Sequence, residues 1–469
     1  MKNKNPAKQH YQRLRVLSCE ELWEREVAAF DRATSRERIE NVAVVRAVGV
    51  VFSERGTDGQ KEQARKWLRE LLRDPDEKVR RYAMNALPKI GTNAGEESDL
   101  LDLLGKTSSD RERKFLGRAL EKIGGEATQE ALEEGRLDRL GQKVAANVAR
   151  QQTPSIVRLD HTLADAAKLR INLRCRDGLE RILEDELYEQ SLTEAKFRMI
   201  HSMPGLVTIE PVGILRLSDI YELRCFGAAG IVLGTIDSPE GDEVEAIARI
   251  IASSGSRRVL AAFTDGPIRY RLEFVSKGHQ RGAVRVLADR IYELCPELLN
   301  DSRDAPWQID IHHAGRRISV ELTPRLRPDP RFAYRRRDVP AASHPPLAAC
   351  MARLAGIEED EVVWDPFCGS GLELIERARR GGVRQVVGTD LSAAAIEIVG
   401  ENFAAAIAES VRTSFAVSDF RDYAAVGGLG AGAVSLMISN PPMGRRVPIP
   451  DLRGLIEDLF AVAGEVLKP

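Results

Sequence analysis

No apolar stretch in this sequence is long enough to cross a membrane. The longest uncharged one, "FGAAGIVLGTI" at 226–236, falls short of the roughly 20 residues that a bilayer requires. The N-terminus, "MKNKNPAKQHYQRLRVL", is basic but lacks the apolar core and small-residue cleavage site of a secretory signal. A soluble, cytoplasmic protein is therefore expected. Cysteine is scarce and scattered: the six residues Cys19, Cys175, Cys225, Cys295, Cys350 and Cys368 form no CxxC pair. That spacing indicates neither a zinc ribbon nor a disulfide framework, so reduced thiols and no metal are expected. Charge of one sign is not in excess either, with 69 Lys and Arg against 71 Asp and Glu; a neutral total still accommodates local basic patches. The low hydrophobicity of disordered chains is also missing, since 43% of residues are hydrophobic and 30% charged. A length of 469 residues suggests about three domains.

Ankyrin and tetratricopeptide signatures are absent, yet a repeat is present. "DPDEKVRRYAMNALPKIG" (74–91) superposes on "SDRERKFLGRALEKIGG" (109–125) at an offset of 33 residues, laying Ala86-Leu87 on Ala119-Leu120 and Ile90-Gly91 on Ile123-Gly124. In both, apolar residues recur at helical spacing, a polar turn precedes the helix, and a glycine follows where a C-terminal cap favours positive φ. "KEQARKWLRELL" (61–72) and "EESDLLDLL" (96–104) read as partner helices, and "RIENVAVVRAVGVVF" (38–52) as a degenerate earlier unit. The pattern resembles short HEAT-like repeats, and an all-α solenoid is expected over residues 1–150. Such stacks commonly hold partners, so a protein partner is expected on it.

The periodicity lapses in "SIVRLDHTLADAAK" (155–168), just after Pro154, which marks a boundary. Beyond it "KLRINLRC" alternates as a strand, "GLERILEDELYEQ" is an amphipathic helix, "FRMIHSM" and "GLVTIEP" are paired strands, "RLSDIYELRCF" is helical and "GIVLGTI" is a strand. That order is βαββαβ, the ferredoxin-like arrangement. A helix at "GDEVEAIARIIAS", a strand at "RYRLEFV", a helix at "AVRVLADRIYEL" and two strands, "WQIDIHH" and "RRISVELT", predict a second α/β unit, so residues 165–324 are expected to form an α+β module. Next comes a basic linker at 325–340, with Arg325, Arg327, Arg331, Arg335, Arg336 and Arg337 interleaved with Phe332 and Tyr334. Arginines and aromatics in an irregular segment suit phosphate contacts and base stacking, although charge runs are more often solvated linkers.

Residues 341–469 change rhythm again. "EVVWDPFCGSG" (361–371) is an apolar strand ending in Asp365 and opening through Phe367, Gly369 and Gly371 into the helix "LELIERARRGG". About twenty residues on, "VRQVVGTDLS" is a second strand ending in Asp390. Glycines after the first strand of a Rossmann-like sheet let backbone approach a ligand, and an acid after the second binds ribose hydroxyls. The diphosphate fingerprint GxGxxG is missing, which points away from NAD and towards S-adenosylmethionine. A third strand, "TSFAVSDF", brings Asp419 and Phe420 to the same edge, suited to an adenine.

The fourth apolar run, Val434 to Ile438, stops at Ser439-Asn440-Pro441-Pro442. Ligands of open α/β sheets bind beyond the carboxyl ends of the strands. Asn440 and the Pro441 carbonyl can accept hydrogen bonds from an exocyclic amine, orienting its lone pair and stabilising the charge that develops on nitrogen. Pro441 and Pro442 stiffen the loop.

"DPFCGSG", "GTDLS" and "SNPPMG", preceded by "YRRRDVPAASHPPLAACMARLAG", resemble the THUMP-domain RNA methyltransferases that make N2-methylguanosine in tRNA or ribosomal RNA. "CRDGLERILEDEL" and the βαββαβ unit resemble the ferredoxin-like domain of that family, followed by its THUMP domain. The resemblance implies a class I methyltransferase domain, S-adenosylmethionine as cofactor and structured RNA as partner. In the family an aromatic usually follows Asn-Pro-Pro and stacks on the target base; here the position is Met443, expected to flank it. The family's GSGT is Gly-Ser-Gly-Leu372, and the chain stops at "AVAGEVLKP", where the complete fold continues into a fifth strand and a hairpin, so the domain is expected to be incomplete. The alternatives are a non-catalytic RNA-binding scaffold, favoured by Met443 and the missing strands, and an N6-adenine nucleic-acid methyltransferase using the same Asn-Pro-Pro chemistry.

Overall fold

The computed structural model describes residues 6–91, 94–133, 153–237, 242–275, 280–302, 304–326, 329–340, 342–407, 411–444 and 449–469. The chain divides into two compact units, Met1–Pro154 and Ser155–Pro469.

The described secondary structure of the first unit is helical. Ala43–Arg55, Glu77–Ile90 and Asp110–Ile123 pack in a row, each against the next, with Asp58–Leu71 and Ala94–Lys106 beside them. The helix starts are written in the sequence. Thr57 and Gln60 form a reciprocal capping box for one, and Ser109 accepts the Glu112 N–H at the head of another. Val48, Phe52, Met84, Leu87, Leu116 and Leu120 are almost wholly buried along the row. Gly49 permits the close approach of its first two helices, because a Cβ there would lie 2.7 Å from the Ala86 Cβ. The superposed segments form helices that start and stop 33 residues apart, Glu77–Ile90 and Asp110–Ile123. Of their two glycines, the first has the expected positive φ and the second does not. Gly91 has φ +100°, but Gly124 is extended at φ −61°, ψ 133°; there, close packing on the Leu120 carbonyl, 2.6 Å from where a Cβ would sit, requires glycine.

In the second unit an eight-stranded sheet runs in the order Leu299–Asn300, Arg269–Phe274, Trp307–Ala314, Arg317–Pro324, Ala228–Asp237, Arg170–Arg174, Leu206–Pro211, Phe197–Met203. The last four, with the helix Glu180–Thr193, are the βαββαβ segment; they pair antiparallel in the spatial order fourth, first, third, second. The expected second α/β unit does not stand apart. Arg317–Pro324 pairs antiparallel with Ala228–Asp237, so its strands extend the same sheet over a shared core that includes Ile171, Ile231, Trp307 and Ile309. The helix expected over "RLSDIYELRCF" covers only Leu217–Ile220. Its continuation fails because the buried Glu186 carboxylate accepts the backbone N–H groups of Arg224 and Cys225 at 3.0 and 2.9 Å. A helix at Ser254–Phe263, capped by Ser253, was not foreseen from the sequence.

The C-terminal sheet has four parallel strands in the order Arg412–Val417, Val383–Asp390, Glu361–Asp365, Leu436–Met437. This open order brings their carboxyl ends to one edge. The fourth strand is shorter than the apolar run 434–438 suggests, with Val434 joined only by a bridge to Leu467. Leu372–Arg379 and Ala393–Ala406 connect the first three strands.

Candidate active site

The first strand delivers Asp365, which is fully buried. Its Oδ1 accepts the Phe367 N–H at 3.0 Å and the Ser439 hydroxyl at 2.6 Å, while Oδ2 has no partner. Burial, then the negative charge of nearby Glu373, raises this carboxyl well above its ordinary range. The chain then turns through Gly369 (φ +49°) and Gly371 (φ +83°) into Leu372–Arg379. At Gly371 a side chain is excluded twice, by the left-handed backbone and by Val399, whose Cγ2 would lie 2.4 Å from a Cβ.

Asp390, at the end of the second strand, closes this turn. Its carboxylate accepts the Gly369 N–H at 3.1 Å and the Ser392 N–H at 2.9 Å, tying the glycine loop to the neighbouring strand. Asp419 caps the turn after the third strand by accepting the Arg421 N–H at 3.0 Å, and it also pairs with the Arg421 guanidinium. Phe420 is buried under Phe367, ring centroids 5.1 Å apart, so Phe367, half-buried, carries the more open ring of the two. Leu391, Val417, Ser418 and Asp419 line a cleft beyond these strand ends.

Asn440 follows the fourth strand. Its Nδ2 donates to the Ser343 Oγ at 2.8 Å, and the Ser343 hydroxyl donates to the Glu373 carboxylate. Ser439 and Asn440 therefore reach the two buried acids by separate routes, Ser439 to Asp365 and Asn440 through Ser343 to Glu373. Glu373 is also raised, by burial. Pro441 and Pro442 are half-buried and Met443 is 61% exposed, so its thioether stands open beside Asn440. Ser343 and Glu373 escaped sequence reading. Ser343 lies in "AASHPP" with no motif of its own, and Glu373 reads as an ordinary helical residue at the head of "LELIERARR".

The arginine run is a packed strap rather than a free linker, and this corrects the expected base stacking: Phe332 and Tyr334 are buried. Arg331, 5% exposed, packs on the Phe226 ring at 3.9 Å, donates to the Phe226 carbonyl at 2.7 Å and pairs with Asp329. A guanidinium so enclosed holds the fold and cannot reach a phosphate. Arg325 donates to the Ala305 carbonyl. Arg335 pairs with Asp338, and Arg337 with Glu397 and Glu401 at 2.8 Å each. Arg336 is exposed, and Arg327 lies outside the described residues. Buried Asn402 fixes the strap to the site, accepting the Arg336 and Arg337 N–H groups while donating to the Arg337 and Ser370 carbonyls.

Residues 333–468 match the family model described as UPF0020: RMKL-like, methyltransferase domain. The C-terminal segment is a methyltransferase domain. Its methyl donor is S-adenosylmethionine. Over 81 residues the chain is 42% identical to the tRNA (guanine(10)-N2)-dimethyltransferase of Methanothermobacter thermautotrophicus, a match covering 17% of this chain and 22% of that protein. The chain thus spans about a fifth of the length of this curated relative. Among solved structures, a possible methylase from Clostridium difficile 630 aligns with 17% identity and a TM-score of 0.47 over 64% of this chain and 88% of that one. TrmN from Thermus thermophilus aligns with 20% identity and a TM-score of 0.44 over 63% and 82%. Among the described residues no helix is long and apolar enough to cross a membrane, and no His, Cys, Asp and Glu cluster could hold a metal ion.

In the methyltransferase domain, the observed features fit the donor. The unpartnered buried Oδ2 of Asp365 suits a cation, the bare Gly369–Gly371 turn suits close backbone approach, and the Asp390 carboxylate ends beside that turn.

Proposed function

We propose that the chain is an S-adenosylmethionine-dependent RNA methyltransferase acting on the exocyclic N2 of guanosine in tRNA or ribosomal RNA. The observation that carries the reading is the hydrogen bond from Asn440 to Ser343. With the Ser343 hydroxyl donating to Glu373, its oxygen accepts, and the Asn440 amide presents Nδ2 to it. Oδ1 is then available, with the Pro441 carbonyl, to accept both N–H groups of an incoming amine.

The donor supplies an electrophilic methyl group on a sulfonium. In our reading Asp365 faces its ammonium, Gly369 and Gly371 admit its amino-acid end, Asp390 takes the ribose hydroxyls, and Asp419 with Phe367 and Phe420 borders the adenine. Asn440 and Pro441 would hold the guanine amine so that its lone pair points at the methyl group; as the N2–carbon bond forms the sulfonium–methyl bond breaks to leave a neutral thioether, and the two acceptors would stabilise the positive charge on N2 until its extra proton passes to water. Pro442 stiffens the loop, and Met443 packs beside the base more loosely than an aromatic would.

The RNA would be gripped by the 165–324 module, read as ferredoxin-like plus THUMP-like, and by Arg335, Arg336 and Arg337. The 42% identity to a tRNA guanine-N2 enzyme over 81 residues supports guanine over adenine. The test is transfer of labelled methyl to bulk tRNA and ribosomal RNA, followed by nucleoside analysis. Label in N2-methylguanosine is expected. Label in N6-methyladenosine would keep the Asn440 chemistry and overturn the substrate, and no label would favour the non-catalytic scaffold.

A further inference from the structure

The three helices that pack in a row in the first unit, Ala43–Arg55, Glu77–Ile90 and Asp110–Ile123, carry eleven Lys and Arg against five Asp and Glu. The two flanking helices, Asp58–Leu71 and Ala94–Lys106, carry five against seven. Positive charge is therefore segregated onto one side of the stack, although the whole chain is nearly neutral.

Its placement follows the repeat. Arg81, Asn85 and Lys89 recur every four residues along the middle helix, which puts them on one face. Their counterparts 33 residues on are Lys114, Arg118 and Lys122. Asn85, Lys89, Lys114, Arg118 and Lys122 are exposed, and Arg46 continues the face onto the preceding helix. Arg46 lies over the Tyr11 ring at 4.0 Å, and Arg81 and Arg118 approach the Phe115 ring at 5.2 and 5.7 Å. Arg46, Lys89, Arg118 and Lys122 form no ion pair among the described residues, whereas Arg80, in the seam between repeats, is neutralised by Glu112. The Lys89 ammonium is held below its ordinary range by partial burial and then by Arg46, Lys122 and Arg15. Cations that repel one another store unfavourable energy that a polyanion would relieve.

We infer that this basic face of the helical unit, centred on Arg46, Lys89, Arg118 and Lys122, binds the phosphate backbone of RNA, giving the chain an RNA-binding surface apart from the methyltransferase domain and its arginine strap. A protein partner is the usual expectation for such a stack. Charge spread over successive repeats suits a long chain of regularly spaced phosphates better, and phosphate contacts position a substrate without reading its sequence. The inference rests on the proposed RNA function for its choice of polyanion.

The test uses the whole chain with Lys89→Ala, Arg118→Ala and Lys122→Ala combined, and bulk tRNA as the probe at several salt concentrations. We expect binding weakened by about 10-fold or more, with the log–log salt slope reduced by about 0.7–0.9 for each phosphate that is no longer neutralised. The control variant Lys66→Ala with Lys106→Ala, exposed on the flanking helices, should bind as wild type does; a thermal melt checks that both variants fold. An unchanged affinity and slope in the triple variant overturns the inference, whether or not the protein methylates RNA. If the slope falls while no methyl transfer is seen with any RNA, the basic face stands and the proposed activity falls. If polyglutamate competes with tRNA as well as an equal charge of RNA does, the face is a dock for acidic protein and the RNA assignment is overturned.

Discussion

Asn440 and Ser343 lie 97 residues apart in sequence and share a 2.8 Å hydrogen bond that sets which end of the Asn440 amide faces outward. Ser343 lies near the start of the methyltransferase domain, Asn440 in the loop after its fourth strand. In the proposed mechanism Ser343 acts through Asn440, as a positioning residue. Ser343→Ala should lower the rate of methyl transfer by about 10-fold, the worth of roughly one hydrogen bond. The affinity for S-adenosylmethionine should stay unchanged, and Ser343→Thr, which keeps the hydroxyl, should restore most of the rate.

Burial raises Asp365 and Glu373. For a carboxyl whose folded pKa lies above its unfolded one, the stabilising contribution is full below the unfolded value and is lost as pH rises through the folded value. The methyltransferase domain without cofactor should therefore lose stability as pH climbs above the ordinary carboxylate range. Asp365→Asn is neutral throughout, so thermal melts between about pH 5 and 8 should show a shallower decline for this variant. Parallel slopes would contradict the shift.

Two arginines of one run should behave oppositely. Arg331→Ala removes a buried cation from Asp329 and the Phe226 carbonyl and should cost about 2–3 kcal/mol of stability, the worth of charged hydrogen bonds. Arg336→Ala, on an exposed side chain, should leave the melt unchanged and weaken RNA binding. Denaturant unfolding and salt-dependent RNA titration separate the two effects.

Asp390→Ala should weaken S-adenosylmethionine binding by about 10-fold or more in calorimetry, because it removes the proposed ribose acceptor and also frees the Gly369 N–H. Binding equal to wild type would remove Asp390 from the cofactor site.

Local signals made much of this legible. Strand-ending acids and glycines located the Asp365 turn and put Asp390 at the same sheet edge, because a sheet edge is built from short segments with strong composition. The 33-residue offset predicted the bounds of two helices, because helix caps are chemical features of single residues. What stayed hidden depends on pairing between distant segments. The two α/β units merge into one sheet through pairing of Arg317–Pro324 with Ala228–Asp237, and Glu186 ends a helix from about 38 residues away. The arginine run reads as a solvated linker in sequence, yet Phe226 encloses Arg331 and Asn402 holds the backbone of Arg336 and Arg337, because a strap and an exposed linker share one composition.

The most direct measurement is single-turnover methyl transfer by Asn440→Ala, at saturating S-adenosylmethionine and guanosine-containing RNA, beside calorimetry of cofactor binding. Asn440 is proposed to meet the amine most strongly as charge develops on nitrogen. The rate should therefore fall by about 100-fold or more, the scale of losing one preorganised polar group, while cofactor and RNA affinities hold. A variant that transfers methyl at the wild-type rate, or loses rate only in proportion to lost cofactor binding, would contradict the account.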